Sequence, residues 1–106
     1  MFQDTQAFSS FSVDDIAAAK QFYSDALGLV VEDGEMGTLA LKIVGNGDVL
    51  VYPKGDQHEP ASFTILNFPV DDIESKVAQL KQGGVEFEQL DGVGDDGISR
   101  QGGPLI

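Results

Sequence analysis

The pattern Phe-x-Val-Asp-Asp-Ile occurs twice in this chain, at residues 11–16 and again at residues 68–73. Five of its six positions are identical across an offset of 57 residues. Each copy lies where an alternating, strand-like run gives way to helical spacing of apolar residues. A chain of 106 residues has the length of one domain. The repeat therefore predicts a single domain built from two modules, about 5–54 and about 61–106.

The charge balance restricts the partners of the chain. Eighteen acidic residues stand against six basic ones, which gives a formal net charge of −12. Such a surface repels nucleic-acid backbones and anionic lipids, so neither is expected as a partner. The absence of cysteine excludes disulfides and thiol chemistry. With no signal peptide or membrane-length apolar run in the sequence, a cytoplasmic location is the expectation.

The first copy predicts a strand, a helix and three further strands. Alternation indicates a strand over residues 7–13, and Asp14 or Asp15 is suited to cap the following helix. Apolar residues at helical spacing continue to Leu27, and Gly28 is a favoured stop. Short strands are then predicted at residues 29–32, 38–44 and 49–52, separated by turn-forming residues.

The second copy predicts the same order after a polar linker over residues 53–60. A strand is expected at residues 62–70, and Asp71 with Glu74 resembles a capping box for the second helix. Gly83 and Gly84 should end this helix, and a strand should follow at residues 85–90. A glycine-rich loop comes next, with a short extended piece expected around residues 98–100, and residues 104–106 resemble the start of another strand.

The segment Phe22-Tyr23-x-x-x-Leu27-Gly28 resembles a motif of the vicinal oxygen chelate superfamily. This superfamily includes glyoxalase I, bleomycin-resistance proteins, extradiol dioxygenases and fosfomycin-resistance enzymes. The resemblance implies an α+β fold, with tandem βαβββ modules whose curved mixed sheet forms a cleft. The last strands of the family pattern have no counterpart here, so we expect the second module to be incomplete. An exposed sheet edge favours strand pairing between subunits, which predicts a homodimer.

The resemblance also identifies where related enzymes bind a metal ion. The first ligand position falls at Phe8, and its second-copy equivalent falls at Ile65. Residues 49–53, where a third ligand is usual, contain no histidine or carboxylate. Apolar side chains cannot ligate a divalent ion, so we predict no metal and no other cofactor. The single histidine, His58, is expected to be a solvated linker residue without a serine nearby, and no catalytic residue is assigned.

The candidate ligand-binding residues come from the strand face that points away from the helix. Alternation and the 57-residue offset nominate six positions: Phe8, Ser10, Ser12, Tyr52, Ile65 and Asn67. Apolar surface with a few hydroxyl and amide groups is typical of a small-molecule pocket. The same residues could instead close a packed interior.

Three functions are compatible with this sequence. The first is metal-free binding of a small cationic or aromatic compound, in the manner of glyoxalase-like and bleomycin-resistance proteins. The second is a metal-dependent lyase or dioxygenase whose ligands come partly from a partner chain. The third is a dimeric assembly module that binds no ligand.

Overall fold

The computed structural model describes residues 1–45 and 47–100, and these form an α+β fold. Residues Met1–Ile65 make up one compact unit, and a second unit begins at Leu66. The strands are β1 (Ser9–Val13), β2 (Val30–Asp33), β3 (Leu39–Ile43) and β4 (Gly47–Pro53). The helices are α1 (Ile16–Gln21), which continues into a π-helical turn (Phe22–Ala26), and α2 (Ile73–Gln82). None of the helices in the described ranges is long and apolar enough to cross a membrane.

The first unit contains a mixed four-stranded sheet in the order β1-β4-β3-β2. The two hairpins β2–β3 and β3–β4 are antiparallel, and β1 joins the outer side of β4 in parallel. All four predicted strands of the first copy are confirmed, with boundaries shifted by no more than two residues. Alternation and glycine turns were enough to predict these strands, because two of the three strand pairings join strands that are adjacent in sequence.

One face of this sheet carries the hydrophobic core. Leu39, Leu41, Val49 and Val51 are each less than 4% exposed and lie on this face by the strand register. The same face carries Phe11, whose ring meets Tyr23 of the π-helical turn edge-on at 6.0 Å between centroids. The helical segment after β1 therefore covers this face, and burial of these side chains drives its packing.

Capping fixes both ends of the first helical segment. Asp15 has extended backbone angles, and its carboxylate accepts hydrogen bonds from the amides of Ala17 and Ala18 at 3.1 Å. Of the two predicted cap candidates, Asp15 is thus the N-cap. Gly28 follows the segment with a φ of +71°, a left-handed conformation that glycine adopts without steric cost.

The second unit contains α2, whose N-cap is Asp72 and not the predicted Asp71. Asp72 is extended and its carboxylate accepts from the Ser75 amide at 3.2 Å. The 57-residue offset maps Asp15 onto Asp72, so the repeat identifies the cap where the capping-box pattern was wrong. Gly83 ends α2 as predicted.

Two predicted strands of the second copy are wrong, because residues 62–70 and 85–90 belong to no strand. In the first copy Ser9–Val13 pairs with Val49–Pro53. The offset maps the first pair, Ser9 with Val49, onto Leu66 and Ile106, and Ile106 lies outside the described residues. Among the described residues neither segment has a paired strand, and alternation alone makes none. The predicted strand start at residues 104–106 also lies outside the described residues.

A short turn replaces regular strand pairing in the second unit. Val93 and Ser99 form an isolated antiparallel bridge, and Ile98 between them is 1% exposed. This bridge falls within the glycine-rich segment that the sequence predicted to be a loop. Ile98 is thus the most buried residue of this turn.

Candidate functional site

The sheet face opposite the core is the candidate site, and we call it the open face. The strand register places Ser10 and Ser12 of β1 beside Leu50 and Tyr52 of β4, with Ala40 of β3 next in line. Ser10 is exposed, and the other four are only half-buried. Three of the six predicted ligand-binding residues, Ser10, Ser12 and Tyr52, therefore share one surface.

A tight turn after β4 brings His58 to this surface. The Lys54 amide donates to the Val13 carbonyl at 2.8 Å, which extends the β1–β4 pairing beyond Pro53. Gly55 has a φ of +54° and begins the 3-10 turn Gly55–Gln57, which turns the chain at the end of β1. His58 follows this turn, and its Nδ1 lies 2.8 Å from Ser12 Oγ.

The expectation that His58 is a solvated linker residue remote from any serine is wrong. The histidine is half-buried and hydrogen-bonded to Ser12, across a separation of 46 residues. One signal in the sequence points to this contact. Parallel strands end at the same edge of a sheet, so a residue a few positions beyond β4 can reach the last residues of β1.

Charged residues occupy the other end of the open face. Lys42 Nζ lies 2.8 Å from Asp48 Oδ2 and 3.4 Å from Glu32 Oε2. The hydrogen bond that Lys42 donates to Asp48 is the main reason that the pKa of Lys42 is raised. Because two carboxylates surround one ammonium, this end of the face carries a net negative charge.

The remaining predicted site residues lie apart from this cluster. Phe8 precedes β1 and is 70% exposed, and Ile65, at the end of the first unit, is 43% exposed. Asn67 is an exposed residue of the second unit. The pairing of Phe8 with Ile65 across a cleft stays a prediction.

The side chains that could hold a metal ion are dispersed in the described parts of the chain. In residues 1–45 and 47–100, no three histidine, aspartate or glutamate side chains lie close enough to share an ion. The Ser12–His58 pair is therefore the most distinctive polar feature of the open face. Its chemistry is that of a hydrogen-bonding site beside an aromatic ring.

Comparison with known families identifies the fold. The family model of the Glyoxalase/Bleomycin resistance protein/Dioxygenase superfamily matches residues 7–98. The chain belongs to this superfamily. The match spans both copies of the repeat, and it confirms the α+β fold class and the family resemblance of the Phe22–Gly28 segment. No curated protein matches the chain.

Solved structures of similar fold come from bacteria. An integron cassette protein from the mobile metagenome of V. cholerae has a TM-score of 0.54 and 23% identity, covering 86% of this chain and 78% of that chain. A virulence protein from Salmonella typhimurium has a TM-score of 0.59 and 22% identity, covering 92% of this chain and 85% of that chain. These likenesses support the glyoxalase-like fold alone.

Proposed function

We propose that this glyoxalase-like chain binds a small, partly aromatic compound on the open face without the aid of a metal ion. The observation that carries the proposal is the grouping of Ser12, Tyr52 and His58 around one hydrogen bond of 2.8 Å. A few directed polar groups beside an aromatic ring and an aliphatic side chain are typical of small-molecule sites.

The division of the sheet into two faces supports this role. The core face is packed, with Leu41 and Val51 fully buried. The open face offers the ring of Tyr52 for stacking, the side chain of Leu50 for apolar contact and the hydroxyl of Ser10 for hydrogen bonding. A planar ligand that covers Tyr52 and Leu50 would remove apolar surface from water.

Charge favours a cationic ligand. The chain carries a formal net charge of −12, and Glu32 with Asp48 outweighs Lys42 on the open face itself. An exposed ion pair of this kind contributes little by itself, so an incoming amine can compete with Lys42 for the carboxylates. Because the superfamily includes bleomycin resistance proteins, cationic glycopeptide antibiotics are the first natural compounds to test.

We infer that the site needs no metal ion from the side chains at the two positions where related enzymes bind a metal ion. Phe8 and Ile65 have no lone pairs to donate to a cation. We expect dialysis against a chelator to leave ligand affinity unchanged. Stoichiometric metal that survives dialysis, together with loss of binding when it is removed, would contradict a metal-free site.

Binding is tested by titration with three naphthalene derivatives that differ in charge. We expect 1-naphthylmethylamine to bind more tightly than 1-naphthalenemethanol, and 1-naphthoate to bind least, as measured by chemical-shift changes of the open-face amides. Tyr52→Leu should weaken binding of all three because it removes the stacking ring. Phe2→Leu is the matched control, since Phe2 is a 74% exposed aromatic residue at the N-terminus. Shifts scattered over the whole chain, or no saturable binding, would refute the proposed site.

A further inference from the structure

We propose that β1 of one copy of the chain pairs antiparallel with β1 of a second copy, so that their two sheets join at this edge. β1 is an outer strand of the sheet, and β4 is its one strand neighbour among the described residues. The pairing depends on the backbone and the charges of this edge and not on a bound ligand. It therefore goes beyond the proposed function and does not require it.

The backbone of β1 presents hydrogen-bonding groups on its outer side. In a parallel ladder the N–H and C=O of one residue point to the same neighbouring strand, and those of the next residue point away from it. The Val13 carbonyl accepts from the Lys54 amide at 2.8 Å, so the groups of Val13 point toward the β4 side. By alternation, the backbone groups of Ser10 and Ser12 point to the outer side. An added strand would satisfy them.

The hydrophobic core is incompletely covered at this edge. Val49 and Val51 of β4 are no more than 1% exposed. On the same face of β1, Phe11 and Val13 are only half-buried and Ser9 is exposed. A strand added beside β1 would therefore also remove apolar surface of Phe11 and Val13 from water.

The other outer strand of the sheet is protected by charge. β2 carries Glu32 and Asp33, and charged side chains on an edge strand oppose its pairing with another chain. By contrast, β1 and the four residues before it contain no charged side chain. In a chain with a net charge of −12, this uncharged edge is where a second copy meets little repulsion.

Charge also selects the direction of pairing. Asp14 and Asp15 follow β1 directly. In an in-register parallel pair, each would lie about 5 Å from the same residue of the other copy. In an antiparallel pair centred on Phe11, the two copies of Asp14 lie about 20 Å apart, which exceeds the screening length of about 10 Å at 0.1 M salt. The antiparallel direction is therefore favoured.

Full overlap of the two strands fixes the register. With Phe11 at the twofold axis, Ser10 lies opposite the partner's Ser12. These are the residues whose backbone groups point outward, so they form the hydrogen-bonded pairs of the new ladder. Ser9 lies opposite the partner's Val13 in a pair without hydrogen bonds, where the Cα atoms are about 4.5 Å apart. The two open faces then lie on the same side of one continuous sheet.

Disulfide trapping tests this register, and the chain suits the method because it contains no cysteine. We expect a mixture of Ser9→Cys and Val13→Cys proteins to form a covalent dimer under mild oxidation, because about 4.5 Å between Cα atoms is within disulfide range. Each variant alone should stay a single chain on a non-reducing gel. Its two introduced thiols would be offset along the pair by roughly 13 Å, which is too far for a disulfide.

Val44→Cys is the matched control, because Val44 is fully exposed in the turn between β3 and β4. Mixed with Ser9→Cys, it reports disulfides formed by random collision and should give only a background yield. Covalent dimer in each β1 variant alone would indicate parallel pairing. No dimer above the background in the Ser9→Cys and Val13→Cys mixture would exclude β1 as the interface. Either result would overturn the proposal.

Ser10→Pro tests the hydrogen bonds of the new ladder. Proline removes the outward amide, and an edge strand tolerates proline where its N–H faces solvent. Added to both cysteine variants, Ser10→Pro should abolish the covalent dimer, while circular dichroism reports whether the fold is kept. A folded Ser10→Pro protein that still forms the dimer at the original yield would overturn the proposal. If this variant does not fold, the disulfide pattern of the other variants decides the outcome.

Discussion

Asp96 is the polar centre of the turn that joins Val93 to Ser99. Its carboxylate accepts from the Ile98 amide at 3.1 Å and from two Arg100 nitrogens at 2.8 and 3.2 Å. The hydrogen bond from the Arg100 guanidinium is the main reason that the pKa of Asp96 falls to about 2. The ionised carboxylate is thus the form that the folded turn favours.

This shift predicts an acid-dependent contribution to stability. The folded pKa lies below the unfolded value of about 3.9, so the contribution is fully present above pH 4 and is lost as pH falls toward about 2. We expect Asp96→Asn to lower the melting temperature slightly at neutral pH, with the difference from wild type vanishing near pH 2. Asp95→Asn is the control, because the Asp95 carboxylate forms no hydrogen bond within the described residues. A difference that is independent of pH would contradict this account.

Gly97 in the same turn is constrained by its backbone and by a neighbour. Its φ is +85°, and a Cβ placed there would lie 2.8 Å from Phe87 Cβ. Gly84 is a matched control with a φ of +95° and nothing within 4 Å. We expect Gly84→Ala to cost about 1 kcal/mol from left-handed strain alone.

The Phe87 contact should make Gly97→Ala more costly than the control. Forcing a methyl group against a packed side chain adds about 1–3 kcal/mol to the strain. Urea unfolding of both variants measures this difference. Equal destabilisation would show that Phe87 moves aside freely.

The two helices offer an internally controlled test of capping. Each begins after a Val-Asp-Asp sequence, and in each the second aspartate accepts the hydrogen bonds. We expect Asp15→Ala and Asp72→Ala each to lower the free energy of unfolding by about 1 kcal/mol. Asp14→Ala and Asp71→Ala remove the same charge one residue earlier and should cost much less. Equal effects at both positions of a pair would mean that net charge, and not capping, is responsible.

The elements that sequence reasoning predicted are those specified by local signals. The helices have caps and periodic apolar residues, and the sheet of the first unit consists mainly of hairpins with glycine turns. Residues 62–70 and 85–90 do not form the strands predicted for them. Alternation predicts which face a strand would bury, but it does not identify the neighbouring strand with which it must pair. His58 was missed for a related reason, since its partner Ser12 is distant in sequence.

Exposed apolar residues at the start of the second module point to association of the chain as a whole. Phe63 is 74% exposed, and Ile65, Phe68 and Val70 are each between 43% and 46% exposed. All four lie within residues 62–70, which belong to no strand, and exposed apolar residues of this kind are ones that a partner can cover. We propose that a second copy of the chain covers this segment, which gives a homodimer.

Sedimentation equilibrium at micromolar concentration tests the dimer. We expect a mass of twice 11.3 kDa for the wild type and a shift toward monomer in Phe63→Lys, because a buried lysine would lose its hydration. Val44→Lys is the control, since Val44 is fully exposed in a turn of the first unit. Two chains that each carry a net charge of −12 repel one another, and this repulsion is screened over about 10 Å at 0.1 M salt. Association should therefore tighten as salt is added. A monomer at all salt concentrations would refute the dimer and would leave residues 62–70 exposed in solution.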